Sequence, residues 1–327
     1  MKRLRIVGFV LMFCLVAAGL ARAPRTALAA QQVITPTPQD ASQSPIRVES
    51  GLVNLFVTVR NKDKQIVDDL VQDDFKVYED GQEQKIAFFS KESDLPITLA
   101  MLLDTSGSES DMLPAIQDAA SRFLRRVLRK GDEALVISFD SNIDLLADFT
   151  DDPDVMESAI RRTKINVPTG MGPFSVTQSG GTHFYDALYL ASHDKLSDEA
   201  GRKAIIAITD ANDEGSDLQI PAAVEAAQRT DTVVHVLLVY DPAYGPPGFD
   251  VAKKITDETG GRTIPVRGTK NLEDAFDQIS EELRSQYTIG YYPTNTKHDG
   301  TYRKIKVEVQ QKDMDALARK GYYAPQD

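Results

Sequence analysis

Asp104-Thr105-Ser106-Gly107-Ser108 places one carboxylate and two serine hydroxyls side by side, directly after the unbroken apolar run 97–103. Oxygen donors of this kind suit a hard divalent cation, Mg²⁺, Mn²⁺ or Ca²⁺, rather than zinc. Two further segments carry the same chemistry. Gly180-Gly181-Thr182 opens a stretch with helical spacing, and Thr209-Asp210 closes a second apolar run containing Ile205, Ile206 and Ile208. Asp104, Ser106, Ser108, Thr182 and Asp210 together offer two carboxylates and three hydroxyls, enough for a metal site if the fold brings them to one point.

A parallel sheet would do so. The run 97–103 reads as a strand buried on both faces, and ligands of open α/β sheets sit at the carboxyl ends of such strands. Met112, Ile116, Ala120, Phe123 and Val127 then recur at helical spacing, with Pro114 tolerable in the first turn. Strands are expected at 134–139 and 144–149, so closely joined that they form an antiparallel hairpin at the sheet edge. A helix follows near 154–162. The Gly/Pro/Ser/Thr-rich loop 163–181 is long enough to suggest function, and Met171, Pro173 and Phe174 are its candidates for shaping partner choice. Beyond it come a helix with Ala187, Leu188 and Ala191 inward, a strand at 203–209, a helix at 220–229 and a strand at 233–239. A helix at 250–259, a short strand at 262–266 and a helix at 271–285 complete the alternation. Residues 96–286 therefore read as one doubly wound, Rossmann-like α/β domain, with the first and third metal-type segments on neighbouring strands at its switch point. Helix starts nearby favour an anionic ligand above the cation.

Both flanks are β in character. Residues 46–95 alternate through Val53, Leu55, Val57 and Val59 and turn at Asp80-Gly81, a strong hairpin signal. Residues 287–327 alternate through Ile305, Val307 and Val309 and end near Tyr322-Tyr323. Neither flank closes a core alone, so a single small β-sandwich built from both, with the α/β domain inserted, is the economical arrangement.

Residues 1–30 have the layout of an export signal: Lys2, Arg3 and Arg5, then the apolar run 6–20, then small residues up to Ala29 and Ala30. The run is shorter than the ~20 residues of a spanning helix. Cleavage after Ala29 or Ala30 is expected, with an uncleaved anchor as the alternative, and 31–45 reads as a Pro/Thr/Ser-rich linker. The one cysteine, Cys14, lies inside the signal, which leaves the mature chain without disulfides, thiol catalysis or cysteine-bound metal. The whole chain carries a net charge of −12, and the signal itself holds five basic residues and no acid, so the remainder is more acidic still. Such a surface repels nucleic acid and anionic membranes and favours cations or basic partners. No other stretch is long and apolar enough to span a membrane. The expected location is periplasmic, cell-envelope or extracellular.

The order Asp-x-Ser-x-Ser, Gly-Gly-Thr, Thr-Asp on these elements resembles the von Willebrand factor type A domain, over roughly residues 96–286. The resemblance implies a metal-ion-dependent adhesion site that holds Mg²⁺, or Ca²⁺ or Mn²⁺, and performs no catalysis. Ser106 and Ser108 would ligate directly, Thr182 directly or through water, and Asp104 and Asp210 mainly through water. A glutamate or aspartate of a protein partner would complete the shell. The family has glycine where Ala211 stands, and a positive φ there would strain an alanine and reshape the Asp210 loop. The flanking segments, 70–81 before the domain and 287–292 with Gly321-Tyr322-Tyr323 after it, resemble a bacterial group described as von Willebrand A-related proteins of Acidobacteria.

Simpler readings stand beside these. Asp104, Ser106 and Ser108 could cap a helix. Asp213, Glu214 and Asp217 could form a second calcium site, or be a solvated acidic loop. His183 could act as a base on metal-bound water, and His235, within an apolar strand, reads as a satisfied core residue. The function expected is an exported, metal-dependent protein-binding module. The alternatives are a metal-dependent hydrolase using His183 and Asp213, and an envelope scaffold with a structural metal. The chain has no G-x-S-x-G elbow, Walker loop or H-E-x-x-H helix.

Overall fold

A computed structural model describes residues 51–91, 95–165 and 181–326. The signal, the linker and most of the loop 163–181, including Met171, Pro173 and Phe174, lie outside those residues. The chain opens with β1 (Val53–Asn61), β2 (Phe75–Glu79), β3 (Gln82–Gln84) and β4 (Ile86–Ser90). The α/β part follows as β5 (Ile97–Asp104), α1 (Leu113–Val127), β6 (Glu133–Phe139), β7 (Ile143–Thr150), α2 (Pro153–Arg161) and α3 (Phe184–Tyr189). It continues through β8 (Arg202–Thr209), α4 (Ile220–Arg229), β9 (Thr232–Val239), α5 (Phe249–Thr259), β10 (Thr263–Val266) and α6 (Thr269–Arg284). Last come β11 (Tyr287–Tyr291), β12 (Tyr302–Val309), β13 (Met314–Leu317) and β14 (Gly321–Tyr323).

The central sheet runs β10-β9-β8-β5-β6-β7. All its pairings are parallel except β6 with β7, the predicted edge hairpin. Every residue of β5, β8 and β9 is buried, because helices cover both faces. Side chains of α1, α2 and α6 fill one face, around Ile116, Phe123, Met156 and Phe276. Those of α3, α4 and α5 fill the other, around Phe184, Leu188, Val224 and Ile255. This is the doubly wound architecture expected. β5 and β8 lie side by side with Leu103 opposite Ile208, so their carboxyl ends, Asp104 and Thr209-Asp210, meet at the switch point.

The flanking strands form two four-stranded sheets, β13-β1-β11-β4 and β14-β12-β2-β3. Each mixes strands from both ends of the chain, and they share one core of Leu55, Val57, Phe75, Val77, Tyr287, Ile289 and Ile305. The sandwich is thus built from both flanks around the inserted domain. Asp132 ties the two crossings together, accepting hydrogen bonds from the Ile97 amide at 2.9 Å and from Arg284 at 2.5 Å. Both crossings sit where the parallel strands begin. Arg60 of β1 reaches Glu282 of α6, and Arg319 reaches Asp231 just before β9, at that same end. None of these contacts lies at the carboxyl edge of the sheet.

Candidate metal centre

Asp104 is the last residue of β5 and is fully enclosed. Its Oδ1 accepts the Ser106 amide at 2.9 Å, and its Oδ2 accepts the Thr209 hydroxyl from β8 at 2.6 Å. Burial pushes its carboxyl up to about 6, against the pull of the hydrogen bonds from Ser106 and Thr209 and with help from the charge of Asp210. The chain then leaves the strand in one tight turn over Gly107–Glu109. Ser106 Oγ and Ser108 Oγ stand 3.0 Å apart, pairing with each other. Helix α1 starts only at Leu113, and neither it nor the preceding turn receives a side-chain cap. The helix-cap reading of these serines fails, since their oxygens are turned elsewhere.

Thr182 is held by a two-way backbone bridge, each of its amide and carbonyl paired with Glu214 at 2.9 Å. A Cβ on Gly181 would meet the Glu214 carbonyl at 2.6 Å, so the second glycine of Gly-Gly-Thr is what allows the approach. The neighbouring His183 amide donates to the Asp140 carbonyl at 2.8 Å, and the Asp140 side chain accepts the Thr105 hydroxyl at 2.8 Å. Three loops are thereby laced into one rim.

At the third segment, Thr209 Oγ1 also accepts the Ala211 amide, and Asp210 Oδ1 accepts the Asn212 amide. Ala211 sits at φ 57°, in the left-handed region that glycine normally takes. The loop is therefore not reshaped; it keeps the left-handed turn and the alanine carries the strain. The methyl is buried against Gly248, where a Cβ would come within 2.1 Å of the Asp210 carbonyl.

Ser106, Ser108, Thr182 and Asp210 line one open cleft of about 280 Å³, with Asp140, Asn212 and Glu214 on its rim. Asp104 lies beneath it. One residue was not anticipated. Glu109 is as buried as Asp104, and one of its oxygens lies within 4.8 Å of oxygens of Asp104 and Asp210. Burial, then the charges of Asp104 and Asp210, push its carboxyl up to about 9. Hard oxygen donors, three of them acidic, converge here, and that chemistry fits a divalent cation.

The other candidates are placed differently. Asp213 accepts the Tyr185 amide at 3.0 Å and the Ser216 hydroxyl at 2.6 Å, which makes it an organiser of the start of α3. Glu214 pairs with Asn212. Among the described residues, the only three acids that converge are Asp104, Glu109 and Asp210, so Asp213, Glu214 and Asp217 gather no second site. His235 is in the core, as expected, yet neither ring nitrogen has a hydrogen-bond partner.

Residues 99–212 match the family model of the von Willebrand factor type A domain, and the chain carries a domain of that family. It is also similar to the calcium-activated chloride channel regulator 1 of Bos taurus, 26% identical over 198 residues. That stretch is 58% of this chain and 20% of the regulator, so this chain spans about a fifth of its relative's length. Among solved structures, a von Willebrand factor type A protein from Catenulispora acidiphila is 12% identical with a TM-score of 0.48, over 77% of this chain and 73% of that one. BatB of Bacteroides thetaiotaomicron is 19% identical with a TM-score of 0.46, over 57% and 97%. Domains of this family commonly mediate protein–protein interaction and adhesion, and often bind a divalent metal.

Proposed function

We propose that this protein is an exported, non-enzymatic binding module that uses a divalent cation to recruit an acidic residue of a protein partner. One observation carries the reading. The Ser106 and Ser108 hydroxyls pair at the mouth of a cleft that Asp210 also lines, while the charge of Asp210 helps raise the carboxyl of Asp104 beside it. Ser106, Ser108, Thr182, Asp104 and Asp210 would hold the ion, Mg²⁺ or alternatively Ca²⁺ or Mn²⁺. The ion would supply an exposed electrophilic position for a carboxylate. The chain's part is to keep that position open: neutral hydroxyls face the cleft, and Asp104 is restrained by Thr209 and the Ser106 amide. A glutamate or aspartate is the natural partner group, because a neutral oxygen cannot match its charge. Export is supported by the basic start and apolar run of residues 1–30.

The hydrolase alternative would call on Asp213, which accepts hydrogen bonds from the Tyr185 amide and the Ser216 hydroxyl, and turnover of a phosphoester or peptide abolished in His183→Ala would favour it. Calorimetric titration of Mg²⁺, Mn²⁺ and Ca²⁺ into the chelator-stripped chain tests the proposal. Binding in the micromolar to millimolar range is expected, with at least a tenfold loss in Asp210→Asn, equivalent to ~1.4 kcal/mol or more. Partner capture from an envelope extract should disappear in EDTA. An unmodified chain that binds none of the three ions at millimolar concentration would sink the idea.

A further inference from the structure

Glu109 is the residue at this edge that the five-residue set leaves unused. Its side chain is closed to water and its Oε2 has no hydrogen-bond partner. The charges acting on it are those of Asp104 and Asp210, both repulsive. A carboxylate buried among other carboxylates is destabilising by itself, and a cation between them removes that penalty. The turn over Gly107–Glu109 is what brings it there, closed by the Glu109 amide bonding the Ser106 carbonyl at 3.1 Å.

We propose that Glu109 is a sixth ligand-bearing residue of the cation site and that it gives the site a preference for Ca²⁺ over Mg²⁺. The proposal rests on the reading of this edge as a divalent-cation site. With Glu109 included, the chain offers three carboxylates and three hydroxyls before any water or partner joins. Ca²⁺ accepts 6–8 oxygens at about 2.3–2.6 Å, in flexible geometry and with several carboxylates. Mg²⁺ demands a near-ideal octahedron at about 2.0–2.1 Å, keeps several waters and usually takes one or two carboxylates. The three acidic oxygens lie within 4.8 Å of one another, close enough for one cation to bridge them. Glu109 is closed to water and is not among the residues that line the cleft, so the cleft-facing position stays available to a partner.

Titration of CaCl₂ and MgCl₂ into the chelator-stripped full chain and into Glu109→Gln, with melting of both proteins in EDTA, tests this. The parent should bind Ca²⁺ at least tenfold more tightly than Mg²⁺. Glu109→Gln should lose at least tenfold in Ca²⁺ affinity and less in Mg²⁺ affinity, yet melt higher than the parent in EDTA. Ca²⁺ affinity unchanged in the variant overturns the role of Glu109 and leaves the five-residue site standing. A parent that favours Mg²⁺ overturns the selectivity, and a parent that binds neither ion overturns both readings. A variant that binds less Ca²⁺ but melts lower in EDTA assigns Glu109 to packing and also overturns the proposal.

Discussion

Glu79 in the sandwich and Glu109 at the sheet edge are both shut away from water, at 3% and 1% exposure, but they keep different company. Glu79 Oε2 accepts the hydroxyls of Tyr291 at 2.8 Å and Tyr322 at 3.0 Å. Its Oε1 faces the guanidinium of Arg303 at 3.5 Å, and Arg303 is itself held by the carbonyls of Asn295 and Lys297. Burial and the bonded carboxylate both push the Tyr291 hydroxyl above its ordinary range, so it stays a donor. Glu282, where the sandwich docks on α6, is treated the same way: Arg60 and Arg262 both pair with it. Among the described residues, the charges that act on Glu109 are those of Asp104 and Asp210, both acids. A buried acid supplied with its own cation and donors is a structural joint. One set among acids is uncompensated by them: it is held neutral by a proton, at a cost to the fold, and a cation can take that place.

The sharpest way to break this contrast is to remove the counter-charge where it exists. Arg303→Met should leave Glu79 with phenols alone and cost ~3–5 kcal/mol, as breaking a buried pair from one side does. Urea denaturation reads this directly, and an unchanged midpoint would mean that the two acids do not differ as argued.

A pH series then sharpens the other side. The carboxyl of Glu109 is raised in the folded state to about 9 from an ordinary 4.5. A raised acid holds its proton in the fold, so its contribution is complete below 4.5 and is lost as pH rises toward 9. In EDTA, the stability advantage of Glu109→Gln over the parent should therefore widen by a few kcal/mol between pH 5 and 9, on the scale set by ~1.36 kcal/mol per unit. A constant gap across that range would show that Glu109 is already neutralised by something within the chain.

The smallest effect is expected at Ala211. Glycine would relieve left-handed strain of ~1–2 kcal/mol, lose a buried methyl worth ~0.8 kcal/mol and add unfolded-state entropy of ~0.4–1 kcal/mol. Ala211→Gly should accordingly stay within ~1 kcal/mol of the parent on the balance of those terms. Cation affinity should not move, because the loop already has the shape that glycine would give it. A tenfold change in affinity would show the contrary.

Much of this architecture was legible in one dimension. Runs 97–103 and 203–209 announced buried parallel strands because both faces are covered, and that alone placed Asp104 and Asp210 at one edge. The orphan β segments at the two ends implied their own pairing, which β1 with β11 and β2 with β12 now display. Glu109 was legible only as an acid ahead of a helix, since nothing in its neighbours says whether a turn points it to water or inward. Likewise, Ala211 argued for a reshaped loop, whereas the Thr209 and Asp210 side chains hold the turn in place.

The sequence by itself determined the doubly wound domain, its insertion between β flanks, and the five oxygen donors at the switch point. Periodicity records which face of an element is covered, and strand ends follow from it. Only the tertiary structure decided which buried acids are compensated. Arg303 lies 224 residues from Glu79 in the chain and meets it across the sandwich, while Glu109, adjacent in sequence to the serines, is enclosed with two other acids. Charge compensation depends on distances between elements and on excluded water, and neither is written in the spacing of residues along the chain.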